Sequence, residues 1–248
     1  MIVGGPSQTP VSGGGLAGPP PDQTAPEEPL TGARADRDRD LFWAAQFTPS
    51  VTEVLDGDVE RWRERMREHS EAACLHLTAV VEPASAPRAQ LYALPFVPAA
   101  IARERERFGA YATRTMGGNL LADLVQEEVR RRDRVVAIDA EAVLLAAFAG
   151  RVPYQLMLVP RTARMRFEDD GPSGEELLAD ALGRLASRLD GAEVELWVRT
   201  APQGAEHFCW RIDIAPQLPA PGGGLEHGTG VAVNPVAPEQ AAAELRDR

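Results

Sequence analysis

Lysine is absent from this 248-residue sequence, in which all 26 basic residues are arginines. No lysine can therefore act as a base, as a nucleophile or as a point-charge ligand of phosphate. Cysteine is scarce as well, because Cys74 and Cys209 are the only two and neither belongs to a C-x-x-C pair. A disulfide-rich secreted scaffold is excluded, and a reducing compartment fits better.

Long apolar runs are also missing. The most apolar stretch, residues 142–149, is much shorter than the about 20 residues that a membrane-spanning helix needs. The first residues have neither the basic nor the apolar segment of a signal peptide. We therefore expect a cytoplasmic protein without membrane contact. Because the net charge of −11 repels phosphate backbones, nucleic-acid binding is not expected.

Residues 1–35 are rich in proline, glycine, serine and threonine and show no apolar periodicity. Such a segment cannot bury enough apolar surface to offset its ordering entropy, so we expect a disordered leader. A translation start assigned too far upstream would give the same pattern. Order is expected to begin near Leu41.

Apolar periodicity predicts helices and strands through the rest of the chain. The predicted helices run from Asp58 through Ala73, from Pro98 through Tyr111, after Asn119 as N-cap, after Ser173, and from Pro238 through Leu245. The predicted strands are residues 74–81, 91–97, 135–138, 143–148, 152–158, 194–198 and 208–214. This order predicts an α+β fold, an antiparallel sheet with helices packed on it.

Three local patterns lead to further predictions. Ser173 and Glu176 have the spacing of a helix capping box. The three glycines at residues 222–224 predict a flexible loop, and the alternating arginines of residues 61–67 predict a solvated helix face.

Three stretches of the sequence resemble the galactose-1-phosphate uridylyltransferase family, and they follow the family's order. They are residues 89–98 (AQLYALPFVP), residues 120–161, and residues 196–242, which include LWVRTAP, FCWRIDI and EHGTG. This family is part of the histidine-triad (HIT) superfamily and is built from two similar α+β halves. The resemblance implies a HIT-like sheet with a complete second half at residues 116–248 and a reduced remnant of the first half at residues 36–115.

The resemblance also implies a nucleotidyltransferase of galactose metabolism, which moves a uridylyl group between UDP-glucose and a hexose 1-phosphate through a covalent histidine intermediate. The family's H-x-H-x-Q motif would fall on residues 86–90, Ala-Pro-Arg-Ala-Gln, so that Arg88 takes the nucleophile's position. A guanidinium has no available lone pair and cannot attack phosphorus, although it can bind phosphate through two parallel hydrogen bonds. We therefore expect impaired catalysis, with no catalytic residue in place.

Four residues are the predicted substrate-binding set. Arg88 and Gln90 would hold phosphate oxygens, with solvated strand side chains as the alternative interpretation. Glu226 and Asn234 resemble the part of the family that contacts the hexose, in some members across a dimer interface. His76, on the strand before the altered motif, is more simply a structural residue.

The metal sites of the family find no counterpart in the sequence. The cysteine pair that often holds zinc is missing, and a second site of one glutamate and three histidines would fall on Glu128, Arg199, Arg211 and Asp213. Two carboxylates beside two arginines predict an ion-pair cluster instead of a transition-metal site. We expect no metal and no cofactor.

Three hypotheses about function stay open. The chain is a uridylyltransferase-like enzyme with impaired catalysis, or a non-catalytic protein that keeps the fold for sugar-nucleotide binding or dimerisation, or a truncated product without an independent role. A UDP-hexose or hexose phosphate is the expected ligand, and a homodimer is the expected assembly.

Overall fold

The computed structural model describes residues 53–247, except residues 57, 83–84, 86, 172–173 and 220–221. The leader predicted for residues 1–35 and the onset of order near Leu41 lie outside the described residues.

Eight strands and six helices form within the described part of the chain. The strands are β1 (Glu53–Asp56), β2 (Cys74–Val81), β3 (Arg88–Leu94), β4 (Val135–Ile138), β5 (Ala142–Ala146), β6 (Leu156–Pro160), β7 (Val194–Arg199) and β8 (Arg211–Pro216). The helices are α1 (Val59–Glu68), α2 (Ala99–Arg114), α3 (Leu120–Arg131), α4 (Glu175–Arg188), α5 (Gly223–Thr229) and α6 (Pro238–Arg246).

One antiparallel sheet contains all eight strands, in the order β1-β3-β2-β7-β8-β6-β5-β4. The predicted α+β fold is therefore confirmed. The sheet is continuous because β2 pairs with β7 over five residue pairs, from Leu77↔Val198 to Val81↔Val194. The predicted division of the chain near residue 115 falls between α2 and α3 and stays a prediction.

Alternation along the strands gives the sheet two different faces. On the first face, apolar residues of all eight strands form the main core with side chains of α1, α4 and α6. On the second face, α2 and α3 cover only part of the sheet, mainly over β5 and β6, where Phe108, Leu121 and Val125 pack against Val143 and Leu145. We call the uncovered part of the second face, on β2 and β3, the open face. Its side chains at residues 76, 78 and 80 of β2 and 88, 90 and 92 of β3 are half-buried or exposed and include polar groups.

Two helix starts follow directly from the sequence. Asp58 caps α1 by accepting a hydrogen bond from the Arg61 backbone N–H at 3.1 Å. Asn119 caps α3 as predicted, because its Oδ1 accepts from the backbone N–H groups of Leu121 and Ala122 at 3.1 and 3.2 Å. Such caps satisfy N–H groups that have no partner inside the helix.

The solvated helix face predicted for residues 61–67 is wrong for Arg63, which is 0% exposed. Its guanidinium lies 4.0 Å from the ring centre of Phe167 and 5.4 Å from that of Trp210, and it donates to the carbonyl oxygens of Phe167 and Asp170. Burial is the main cause of a lowered pKa at Arg63, while nearby carboxylates raise it. This buried arginine ties α1 to the segment before α4.

Other boundaries also differ from the sequence predictions. The second predicted strand starts three residues earlier, at Arg88. α4 has Gly174, at φ 86°, as its N-cap without a side-chain cap, and Ser173 of the predicted capping box lies outside the described residues. The predicted loop at residues 222–224 instead opens the helix α5. Within the predicted strand 208–214, Phe208 packs with the apolar residues of the second face, whereas Ile212 packs in the main core on the first face.

Candidate functional site

Of the residues to which the resemblance maps the H-x-H-x-Q motif, Arg88 and Gln90 lie on β3 and face away from the main core. Ala89 and Leu91 are both 0% exposed on the core face, so alternation puts Arg88 and Gln90 on the open face. The Arg88 side chain is 70% exposed and pairs with Glu82 at 3.2 Å. The Tyr92 hydroxyl donates to Gln90 Oε1 at 2.6 Å. We call Arg88, Gln90 and Tyr92 the β3 row.

His76 lies on the same open face, on the neighbouring strand. It is opposite Tyr92 in register, with ring centroids 6.3 Å apart. Burial, and secondarily the charge of Arg199, lower the pKa of His76 from 6.5 to about 4, so its imidazole is neutral at pH 7. Arg88 is opposite Val80, which is four residues and therefore about 13 Å along β2 from His76. His76 does not lie beside the nucleophile's position.

The predicted ion-pair cluster is present around Asp213, which is 7% exposed. Asp213 accepts from Arg211 Nε at 3.2 and 3.3 Å, and its Oδ2 is 3.7 Å from Arg199 Nε. Arg211 also donates to Glu104 of α2, which sequence reasoning missed. Burial has the largest effect on the pKa of Arg211 and lowers it, but Asp213 and Glu104 together raise it above its ordinary value. The arginine therefore stays charged.

Glu128, the fourth residue mapped to the family's second metal site, pairs with a different arginine. Its Oε1 accepts from Arg134 Nε at 3.0 Å and from Nη2 at 2.5 Å. Arg134 also donates to Glu239 of α6 at 2.6 Å. Glu128 therefore ties α3 to the start of α6.

This chemistry does not fit the second metal that the family resemblance implies. Arg199 and Arg211 have no lone pair to offer a metal, and Asp213 already accepts from Arg211. Within the described residues, no group of three or more histidine, cysteine, aspartate or glutamate side chains could hold a metal ion.

A cleft of about 500 Å³ opens between α2, α3 and the second face of the sheet. We call it the α2–α3 cleft. Large apolar side chains and charged side chains line its walls. The apolar ones include Phe108, Leu121, Leu124, Phe148, Met157 and Trp197, and the charged ones include Glu104, Glu128, Arg199, Arg211 and Asp213.

The sequence contained one signal for this cleft. Glu104 lies three residues after Ile101 and four before Phe108, both of which are buried. A carboxylate in the apolar stripe of a helix faces the protein and needs a buried partner. The partner, Arg211, is 107 residues away, which no local pattern shows.

The other two predicted substrate-binding residues lie at the loop between β5 and β6. Glu226 accepts from Arg151 at 3.0 Å. Asn234 donates to the backbone oxygens of Gly150 and Val152 at 3.2 and 3.1 Å. In the sheet order, β6 is four strands from β3, or about 19 Å across the sheet. Within one chain, this pair does not meet the β3 row.

Both cysteines are buried thiols. Burial is the largest cause that raises the pKa of each thiol to about 11, so neither is a thiolate nucleophile at neutral pH. Within the part of the chain that the structure describes, no helix combines the length and the apolar character needed to cross a bilayer.

Comparison with known proteins gives relatives by sequence, although no family model matches the chain. ADP-glucose phosphorylase from Arabidopsis thaliana is 28% identical over 167 residues, which are 64% of this chain and 46% of that protein. Galactose-1-phosphate uridylyltransferase from Cryptococcus neoformans is 30% identical over 130 residues, which are 49% of this chain and 34% of that protein.

A solved structure shares the fold. The crystal structure of the A. thaliana ADP-glucose phosphorylase with bound ADP-glucose has a TM-score of 0.66 at 21% identity, over 77% of this chain and 65% of that one. The resemblance to the uridylyltransferases is confirmed, and the fold is shared with the A. thaliana phosphorylase. The chain spans between about a third and a half of the length of the curated relatives it matches.

Proposed function

We propose, from this relation to uridylyltransferases and ADP-glucose phosphorylase, that the chain binds a UDP-hexose or a hexose phosphate and does not transfer the uridylyl group. The binding groups would be Arg88 and Gln90 on the open face of the sheet. The observation that carries the proposal is the exposed guanidinium of Arg88 at the position where the family has its nucleophile.

The transfer step needs a neutral nitrogen lone pair that attacks the α-phosphorus. Arg88 has none, and His76, although neutral, lies about 13 Å along β2 from the partner of Arg88. The strand register therefore does not put the imidazole beside Arg88.

Phosphate binding, in contrast, suits the β3 row. The pair of Arg88 with Glu82 is exposed on both sides, with side chains 70% and 48% exposed. Such pairs contribute only about 0–1 kcal/mol, so a phosphate can displace the carboxylate and take two donors of the guanidinium. Gln90 Oε1 accepts a hydrogen bond from the Tyr92 hydroxyl. The amide N–H groups of Gln90 would therefore be its donors to phosphate.

A sugar nucleotide is the ligand class supported by the relatives, since ADP-glucose is bound in the structure of the A. thaliana phosphorylase. Glu226 and Asn234 would contact the sugar from a second copy of the chain, because they are distant from the β3 row of their own copy. A homodimer and a cytoplasmic location are parts of this proposal.

The alternative is a functional transferase that uses a different nucleophile. His76 is the candidate, because its low pKa leaves the imidazole neutral at pH 7. Covalent modification by UDP-glucose would favour this alternative.

Isothermal titration calorimetry with UDP-glucose, UMP and glucose 1-phosphate tests the binding proposal. Arg88→Gln should weaken binding by about tenfold or more, the usual effect of losing a hydrogen bond to a charged group. The matched control is Arg103→Gln, which changes an exposed arginine on α2. Equal affinity of the two variants, or no binding by the unmodified protein, would reject Arg88 as a ligand of phosphate.

A further inference from the structure

We propose that the α2–α3 cleft is a second ligand site, which takes a small organic anion with an apolar body and a hydroxyl or amine donor. Neither Arg88 nor Gln90 is among the residues that line the cleft. The proposal therefore stands apart from the binding proposed for the β3 row.

The size and the walls of the cleft suit a small molecule. Its volume of about 500 Å³ lies within the range of roughly 300–1,000 Å³ that is typical of ligand pockets. Phe108, Leu121 and Met157 supply an apolar wall. Leu124 is 37% exposed and Phe148 is 72% exposed, so apolar surface also reaches the mouth of the cleft.

Two unused donors lie close together in the cleft lining. Trp197 Nε1 and Arg199 Nε are buried and have no hydrogen-bond partner among the described residues. Both residues are on β7, two positions apart, so their side chains point to the same face. Arg199 Nε lies 3.7 Å from Asp213 Oδ2, which is too long for a hydrogen bond.

The carboxylates of the lining do not oppose an anion, because each already has an arginine partner. Glu104 and Asp213 both accept from Arg211, and Glu128 accepts from Arg134. Arg199 keeps its donor capacity, and Arg151 is a further cation in the lining. An anionic group would therefore find its partners at Trp197 and Arg199.

At another wall of the cleft, an acceptor is unused. Glu128 is 5% exposed, and both contacts from Arg134 go to Oε1. Its Oε2 is buried without a hydrogen-bond partner among the described residues. A buried oxygen in this condition is costly, and a ligand hydroxyl or amine would satisfy it.

These three orphan atoms define the chemistry of the ligand. Its anionic group accepts from Trp197 and Arg199, its apolar body lies against Phe108 and the leucines of α3, and its donor meets Glu128. A carboxylate and a phosphate share the required anion chemistry. The experiment distinguishes these two sources.

The first probe is 8-anilinonaphthalene-1-sulfonate, whose sulfonate, fused rings and aniline N–H match the three features and whose fluorescence reports binding. We expect saturable binding to the full chain. Arg199→Gln should weaken it by about tenfold or more, and Trp197→Phe, which keeps the aromatic ring, by several-fold. Arg103→Gln and Arg88→Gln are the controls and should bind as the unmodified protein does.

The second measurement is displacement of this dye by 4-aminophenylacetate and by 4-aminophenyl phosphate. The more effective competitor identifies the preferred anion. Thermal melting of each variant without the dye shows that the variants are folded. Absence of saturable binding, equal binding by Arg199→Gln, Trp197→Phe and the controls, or no displacement by either competitor would each overturn the proposal. Because the dye should not respond to Arg88→Gln, failure here is distinct from failure of the proposed function.

Discussion

At the scale of single residues, Asp213 is the central carboxylate of the ion-pair cluster on the second face of the sheet. It lies between Arg199 and Arg211, and its side chain is only 9% exposed. Without Asp213, Arg211, whose side chain is 16% exposed, would keep Glu104 as its carboxylate partner among the described residues. Removal of one member of a buried pair leaves a charge without full compensation.

We expect Asp213→Ala to lower the free energy of unfolding by roughly 3–5 kcal/mol, measured by urea denaturation. The matched control is Glu68→Ala, which removes one of the two carboxylate partners of Arg65 at a site where the Glu68 side chain is 56% exposed. Its cost should stay below about 1 kcal/mol. Similar small costs for both variants would show that the cluster does not stabilise the fold.

His76 should make the stability depend on pH. Its folded-state pKa of about 4 is below the ordinary value of 6.5, because of burial and then Arg199. The unfolded chain therefore takes up this proton at a higher pH than the folded chain does. The contribution of neutral His76 is fully present above about pH 6.5 and is lost as the pH falls toward 4.

His76→Gln should consequently reduce the loss of stability between pH 6.5 and pH 4, as measured by denaturation at a series of pH values. His207→Gln changes an exposed histidine and is the control. Identical pH profiles for His76→Gln and the unmodified protein would mean that His76 is solvated in the folded state.

Arg63 and Glu104 show where residue-level prediction from the sequence failed and why. Each lies in the apolar stripe of its helix, Arg63 four residues after Val59 and Glu104 four residues before Phe108. Charged neighbours alternate around both residues, so the local pattern predicts a solvated face for Arg63 and gives no buried role to Glu104. Their partners are 104 and 107 residues away, so only tertiary structure identifies them. Asp213, Arg199 and Arg211 could be predicted as a cluster because the family resemblance maps them to one site.

At the scale of secondary-structure elements, the helix α2 on the second face of the sheet contains a glycine whose replacement by alanine should stabilise the protein. Gly109 lies inside α2, and a Cβ atom built there would meet nothing within 4 Å. Glycine in a helix interior is less favourable than alanine by roughly 0.5–1 kcal/mol.

We expect Gly109→Ala to raise the stability by about 0.5–1 kcal/mol, measured by thermal and urea denaturation. Gly118→Ala is the contrasting variant, because its Cβ would come within 2.5 Å of the Thr115 hydroxyl and 3.1 Å of Thr115 Cβ. It should destabilise the protein. A loss of stability in Gly109→Ala would mean that α2 packs more tightly against its surroundings.

The bounds of β2 and β4 match the sequence prediction, and that of β7 differs by one residue. The alternating patterns at residues 152–158 and 208–214, in contrast, predict strand starts that lie four and three residues before those of β6 and β8. α5 could not be predicted. It has no buried residues and contains three glycines, so local propensity opposes it, and its Glu226 bonds to the distant Arg151.

At the scale of the whole molecule, the continuous eight-stranded sheet positions both sites. The β3 row lies near one edge of the sheet, and the α2–α3 cleft lies over β5 to β8. The antiparallel sheet with packed helices could be predicted from element order, whereas the cleft could not, because seven elements or their connections line it.

The same sheet keeps residues 88–90, to which the resemblance maps the end of the H-x-H-x-Q motif, in a regular strand. β3 pairs with both β1 and β2, and its core-facing Ala89 and Leu91 are fully buried. These neighbours hold Arg88 on the open face without any need for catalytic residues. The fold can thus keep a binding surface without the groups needed for uridylyl transfer.

Intact-mass spectrometry of the full chain after incubation with UDP-glucose tests this claim most directly. A covalent uridylylated protein is the obligatory intermediate of the family reaction, and it requires a nucleophilic nitrogen that Arg88 does not have. We expect the mass of the protein to stay unchanged while calorimetry on the same sample detects bound UDP-glucose. A mass increase of one uridylyl group, abolished in His76→Gln, would contradict the account and identify His76 as the nucleophile.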